Sequence, residues 1–308
     1  MKAITVSDQA AGVAGMTLEE RPAPHAAEND VVVEVRAAGF TPGELAWPAT
    51  WTDRAGRDRT PSIPGHEVAG VVTALGYGTT GLTLGQRVFG FADWARDGTL
   101  AEYVSVEARN LAPLPADIDF VTAASLPISG LTAWQGLFQH GRLQVGQTVL
   151  VNGVGGGVGS VVAQLARDAG AFVVGVGRPA HRQRAIEAGV HRFVDTDGDW
   201  FDDVEQADLV FDVIGGEIGV RSASLVRDFG TFVTIAEPPR PEAQRPGVSA
   251  IFFVVEPDRA QLADLARLVR AGRLRTFVGD VIGLDDAPAS FGAPTKGLGK
   301  TIVRVREE

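Results

Sequence analysis

Between Thr148 and Arg178 the chain reads TVLVNGVGGGVGSVVAQLARDAGAFVVGVGR, an order of residue types that few folds accommodate. Val149-Leu150-Val151 has the length and β-branching of a buried strand. Glycines follow at once: Gly153, Gly155, Gly156, Gly157 and Gly159. Val158, Val161, Val162, Leu165 and Ala166 then recur at three- and four-residue steps, the signature of an amphipathic helix. Gly170 stands where a C-terminal glycine ends such a helix, and Phe172 to Val176 forms the next strand. The stretch is one βαβ unit. Its glycines let the chain turn sharply and let a pyrophosphate approach the backbone. The helix N-terminus offers N–H groups and a partial positive charge to the phosphates. Gly156 and Gly159 fit the second and third glycines of a GxGxxG fingerprint, with Val154 at the first. A tight turn without a ligand would use the same glycines. Having both strands and the helix in frame favours a dinucleotide site.

The flanking sequence sorts into two parts. Residues 1–117 are β-rich and punctuated by Gly and Pro, with strands expected at Val31–Val35, Val68–Leu75, Arg87–Phe91 and Ala101–Val104. Residues 46–62 read as a polar loop bearing Trp47 and Trp51; loops of that length are often functional or mobile. From about residue 118 helical patterns begin, at Phe120–Ala124 and Leu131–Leu137. Strands then alternate with helices: Asp208–Val213 before Gly215-Gly216, Gly230–Ile235, and Ala250–Val255, the most apolar of all. That alternation predicts a parallel sheet with helices on both faces. An amphipathic helix over Leu262–Val269 closes at Gly272, and Thr301–Val305 alternates like a strand that rejoins the first part.

Composition narrows the partners. A net charge of −10 argues against nucleic acid or an anionic membrane. With no cysteine there is no disulfide, no thiolate nucleophile and no cysteine-ligated zinc. No apolar run approaches membrane-spanning length, and the first residues show no basic-then-apolar leader, so the expectation is a soluble cytoplasmic protein.

Several motifs occur together and in order: Ile63-Pro64-Gly65-His66-Glu67-Val68-Ala69-Gly70-Val71-Val72, then Gly98-Thr99-Leu100-Ala101-Glu102-Tyr103-Val104. Ala124-Ser125-Leu126-Pro127-Ile128-Ser129-Gly130-Leu131-Thr132-Ala133-Trp134, the glycine turn, Gly272-Arg273-Leu274-Arg275 and Gly299-Lys300 complete the set. On these the chain resembles the zinc-free, quinone oxidoreductase-like branch of the medium-chain dehydrogenase/reductase superfamily. The resemblance implies an α/β protein with a GroES-like domain (1–117 and 257–308) and a Rossmann doubly wound domain (118–256), with a cofactor in the cleft between them. It places Thr41 and Ile128 where zinc-dependent members hold metal ligands, so no metal is expected, and His66 and Glu67 read as a hydrogen-bonded framework pair.

NAD-specific turns end the second strand with Asp or Glu; here that place is Gly177, followed by Arg178, Arg182 and Arg184 with His181. Arginine binds a 2′-phosphate by charge-assisted bonds, so NADPH is the expected cofactor, read by Arg178 and Arg182 with Arg184 on a solvated face. The resemblance adds Thr132, Gly156, Gly157, Val158, Gly159, Ile214, Ala236, Phe253 and Lys300 as cofactor contacts. On the substrate side it implies Thr41, Glu44 and Trp51. Glu44 can equally serve as a structural acceptor, and Trp47 and Trp51 can equally be loop packing. The implied reaction is metal-free hydride transfer to a quinone or an α,β-unsaturated carbonyl. An enoyl-thioester reductase and a non-enzymatic NADPH-binding sensor are the alternatives. A long apolar edge strand at 250–255 invites pairing with its copy, so a homodimer is expected.

Overall fold

A computed structural model of the chain describes residues 1–197, 200–292 and 299–306. The chain forms two compact units, Met1–Ile128 with Pro257–Arg270 and Phe277–Glu308, and Ser129–Glu256 with Ala271–Thr276.

The first unit is built on one long strand. β3 (Asp30–Gly39) has ten residues, rich in valine and buried along most of its length. That length lets it pair with two strands on one edge. β6 (Tyr103–Glu107) takes Asp30 to Glu34, and β15 (Lys300–Arg304) takes Ala37 to Gly39, both antiparallel. β4 (Glu67–Leu75) runs along the other edge and carries β5 (Arg87–Phe91) and then β7 (Leu111–Pro113) beyond it. β14 (Val278–Gly283) lies outside β15 and parallel to it. A separate ribbon pairs β1 (Lys2–Thr5) with β2 (Thr17–Glu20). The return of the C-terminal segment to this sheet, expected from its alternation, is thus observed. α7 (Arg259–Arg270) and α8 (Ala287–Gly292) also belong to this unit.

The loop at 46–62 has more order than its composition suggests. α1 (Pro48–Trp51) begins on a proline, which suits a first helical turn. Asp53 then accepts the N–H groups of Ala55 and Arg57 (2.8 and 2.9 Å), closing an Asx-type turn under a Thr52–Asp58 bridge. α2 (Phe120–Ala124) is capped by the Asp119 carboxylate, which accepts the Thr122 N–H at 2.8 Å. α2 packs on β3 and β4, so residues 118–128 sit with the first unit, although their helical pattern reads from sequence as the start of the cofactor domain.

In the second unit six strands are all parallel, in the order β10-β9-β8-β11-β12-β13: β8 (Thr148–Asn152), β9 (Phe172–Gly177), β10 (Arg192–Asp195), β11 (Ala207–Asp212), β12 (Val226–Thr234) and β13 (Ser249–Phe252). The central strands are continuous apolar runs, as strands buried on both faces must be. The chain winds outward from β8 in one direction through β9, then crosses to β11 on the other side. The carboxyl ends of β8 and β11 therefore form a topological switch point, where open α/β sheets bind ligands. α4 (Gly157–Asp168), α5 (Arg182–Glu187) and α6 (Gly216–Ala223) fill the crossovers.

Two sequence expectations need correcting. The helix expected at Leu131–Leu137 is α3 (Pro127–Trp134) followed by a wider turn over Gln135–His140, where the Gly141 N–H reaches back five residues to the Gly136 carbonyl (2.9 Å). The edge strand stops at Phe252 rather than Val255, because β12 ends at Thr234, its last partner. Alternation continues without the ladder: Phe252 and Val254 are 38% and 60% exposed, while Phe253 and Val255 are buried.

Candidate functional site

In the second unit the backbone of the glycine turn does most of the shaping. Gly153 takes the left-handed conformation (φ +75°), so the sharp turn falls one residue before the fingerprint's first position. Val154 is thereby free to point inward, fully buried against Gly175. A Cβ on Gly159 would run into the Gly153 carbonyl, so α4 can lie this close to the turn only with glycine there. Gly156 and Gly157 face solvent, Val158 is half-buried, and Gly156 caps α4 without any side-chain bond of its own. The result is an uncapped, glycine-lined helix N-terminus at the end of β8, the arrangement that suits a pyrophosphate.

Basic side chains gather beside it. Gly177 is buried at the end of β9, and Arg178 is exposed immediately after it. The Arg182 guanidinium stacks over Phe193 at 4.7 Å from the ring centre. Two residues behave differently from their sequence reading. His181 lies directly against Gly155, in the space a side chain there would fill. Arg184, expected on a solvated face, is half-buried and donates to the Gly155 carbonyl (3.3 Å). Burial, then the charges of Arg178 and Arg184, hold the His181 imidazole below its ordinary value; burial also lowers Arg184. A cluster of positive groups so placed gains from an anion.

The remaining cofactor candidates scatter through this unit. Thr132 is buried on α3. Ile214 (50% exposed) and Ala236 (exposed) stand just beyond β11 and β12. Phe253 is packed inward on His140, with ring centres 4.5 Å apart. Sequence reasoning did not single out the buried polar group beneath these loops: Asn152, Asp212, Ser222 and Thr234, all essentially without exposure. They lie on four different elements, β8, β11, α6 and β12, and only the fold brings them together.

In the first unit a second polar cluster forms around the start of β4. Glu44, on the turn Pro42–Ala46, is buried; it accepts the Thr41 N–H (3.0 Å) with one oxygen and holds His66 Nδ1 (2.6 Å) with the other. Thr41 itself is exposed. Of the two roles open to Glu44, this geometry is that of a structural acceptor. His66 and Glu67 do not bond to each other, contrary to expectation, because each has its own partners. Glu67 accepts the Ile128 N–H (2.9 Å) and pairs with the Lys300 ammonium, which also donates to the Ser125 carbonyl (3.3 Å). Burial raises the Glu67 carboxyl above its ordinary range, with Lys300 and the Ile128 N–H opposing. Lys300 is thus engaged within this unit.

The two tryptophans separate. Trp51 is 8% exposed in the core, with Nε1–H donated to the Leu45 carbonyl (2.9 Å). This is the geometry that loop packing requires. Trp47 is 38% exposed and meets Trp94 edge-on at 5.2 Å, above His66. Trp94 carried no signal in the sequence beyond being aromatic. Among the described residues no group of three or more His, Cys, Asp or Glu could hold a metal, and no helix is long and apolar enough to cross a membrane.

Two family models match parts of the chain. Residues 27–116 match the alcohol dehydrogenase GroES-like domain, and residues 188–297 match the zinc-binding dehydrogenase family. An NADPH-dependent alkenal/one oxidoreductase of Arabidopsis thaliana is 30% identical over 288 residues, covering 90% of this chain and 72% of the relative. The spectinabilin polyketide synthase system protein NorB of Streptomyces orinoci is 32% identical over 304 residues, 92% of this chain but 14% of its own length. The chain likewise spans about half, 53%, of the mouse synaptic vesicle membrane protein VAT-1 homolog-like, to which it is 29% identical over 72% of its own length. In fold it superposes on the quinone oxidoreductase from Coxiella burnetii with a TM-score of 0.89 over 99% of both chains, at 23% identity.

Proposed function

The chain belongs to the medium-chain dehydrogenase/reductase superfamily, among its quinone oxidoreductase-like members, and from that premise we propose that it is an NADPH-dependent reductase of quinones or α,β-unsaturated carbonyls that works without a metal. The observation that carries the cofactor choice is the end of β9. Gly177 supplies no carboxylate for a ribose, and Arg178, Arg182 and His181 stand beside it. When bound, NADPH supplies the hydride. The chain's residues do the rest. The N–H groups at the start of α4 and the open glycines Gly156 and Gly157 would hold the pyrophosphate. Arg178 and Arg182 would hold the 2′-phosphate. Thr41, exposed on a turn that Glu44 and His66 fix, can donate its hydroxyl to an acceptor oxygen, and the Trp47 face can pack on a flat conjugated acceptor. Thr41 stands where zinc-dependent relatives need a cysteine, which fits a reaction that activates its acceptor by hydrogen bonds.

Steady-state oxidation of NADPH and NADH against a quinone, a 2-alkenal and an enoyl thioester tests this reading. Turnover of a quinone or alkenal with NADPH preferred is expected; no turnover of either would overturn it. A specific observation supports the enoyl-thioester alternative, since nearly the whole chain aligns within a polyketide synthase protein. Turnover confined to the thioester would select it. We also propose a homodimer through residues 250–255, the edge of the sheet and the segment just beyond it, where Phe252 and Val254 are exposed. Phe252→Lys should give a monomer in light scattering. Its expected location, the cytoplasm, is open to fractionation.

A further inference from the structure

One buried carboxylate ties together three strand ends of the second unit. Asp212 ends β11 with no exposure. Its Oδ1 accepts the Asn152 side-chain amide (3.1 Å) and the N–H groups of Ile214 and Gly215 (both 3.2 Å). Its Oδ2 accepts the Gly215 N–H and the Thr234 hydroxyl (both 3.0 Å). The Thr234 oxygen in turn accepts the Ala236 N–H (3.2 Å), and the Ser222 hydroxyl donates to Asn152 Oδ1 (3.3 Å). Asn152 is the last residue before the glycine turn, Ile214 and Gly215 begin the loop after β11, and Ala236 lies in the loop after β12.

A buried charge is costly unless hydrogen-bonded. Every donor named above on Asp212 is neutral, and two of the four, Ile214 and Gly215, are loop backbone. The carboxylate therefore acts on loop shape. Loops after strands are otherwise free to vary; these are held by directed bonds from beneath.

The sheet order says what those loops are for. Arg178 follows β9, on one side of β8, while β11 and β12 lie on the other. A dinucleotide with its 2′-phosphate at Arg178 and its pyrophosphate at the turn after β8 must extend its other half over the ends of β11 and β12. Ile214 and Ala236 are exposed there. We infer that Asp212, with Thr234 as its intermediary, is a positioning residue that fixes the loops receiving the nicotinamide half of the cofactor without itself touching it. The inference rests on the NADPH reading above.

Direct binding tests it on the full-length protein, with NADPH and with 2′,5′-ADP as a probe of the adenine half alone. Asp212→Asn presents an NH₂ group to N–H donors; Thr234→Val keeps the shape and removes the hydroxyl; Thr234→Ser keeps the hydroxyl. Asp212→Asn and Thr234→Val should each raise the NADPH dissociation constant about tenfold, with 2′,5′-ADP unchanged and Thr234→Ser within about twofold of wild type. A purely structural role would weaken both ligands together, or neither, and either result overturns the inference. If Asp212→Asn does not fold, the Thr234 pair decides by the same criteria. Wild-type protein that binds neither ligand would bring down the NADPH reading and this inference with it. Wild-type binding with all variants unaffected would bring down the inference alone.

Discussion

Each unit buries a carboxylate at one end of a strand, and the two are satisfied in opposite ways. Glu67, the first residue of β4, is matched by a full positive charge from Lys300 together with one N–H. Asp212, the last residue of β11, is matched by neutral amides and a hydroxyl. Arg178 and Arg182 of the second unit are exposed and take no part in it. An ion pair loses nearly everything when one partner goes, because a bare charge stays buried. A cradle of dipoles loses a share at a time. The difference is one of kind: the first carboxylate depends on a single cation, and the second on several neutral donors.

The sharpest way to break this comparison is Lys300→Met. It should cost about 3–5 kcal/mol in denaturant unfolding, since Glu67 loses its cation. The cost also depends on pH. Glu67 is already raised above its ordinary 4.5, and removing Lys300 raises it further. A raised carboxyl favours the fold below its unfolded value, and that contribution is lost as pH rises through the folded one. The deficit should therefore be smaller near pH 4.5 than at pH 7. A deficit independent of pH would show that Glu67 is not the group responsible.

Next in size is Arg178→Ala. NADPH binding should weaken by roughly 1–3 kcal/mol with NADH nearly unchanged, and unfolding free energy should move by less than about 0.5 kcal/mol. Equal losses for the two cofactors would remove Arg178 from the 2′-phosphate. In the same unit, Thr234→Val should lower stability by about 1.5 kcal/mol, far less than Lys300→Met, because Asp212 keeps its other donors. A loss as large as that of Lys300→Met would erase the contrast. The smallest effect is at Trp51→Phe, about 1 kcal/mol for the lost bond to Leu45. Its KM for the acceptor should be unaffected, whereas Trp47→Ala should raise it; the reverse pattern would restore Trp51 to the substrate side.

What could be read from sequence was whatever repeats locally. β8, β9 and β11 are continuous apolar runs, and the glycine turn is contiguous, so the βαβ unit and its parallel sheet were legible. β10 and α5 were not, because four and six residues are too few to show a period. Partners defined by pairing across the chain also escaped. Glu67 stands next to His66 and reads as its partner, while its cation lies in the motif Gly299-Lys300, far along the chain. Asp212 reads only as part of a strand, since Asn152 and Thr234 reach it through strand order alone. Arg184 is illegible for a third reason: its place on α5 does not reveal that the glycine turn leaves it a carbonyl to reach.

The pairing of β15 with β3 has a consequence for the protein's synthesis. Ile302 meets Gly39 only after about 260 further residues have been made, which at a ribosomal pace of about 5–20 residues per second is a wait on the order of tens of seconds. The second unit, nearly continuous in sequence, can close during that interval. The first cannot, and until Lys300 emerges its nascent sheet carries Glu67 without a counter-charge. A chain cut short of residue 300 would thus lack both an interior strand of the sheet and the cation that faces Glu67.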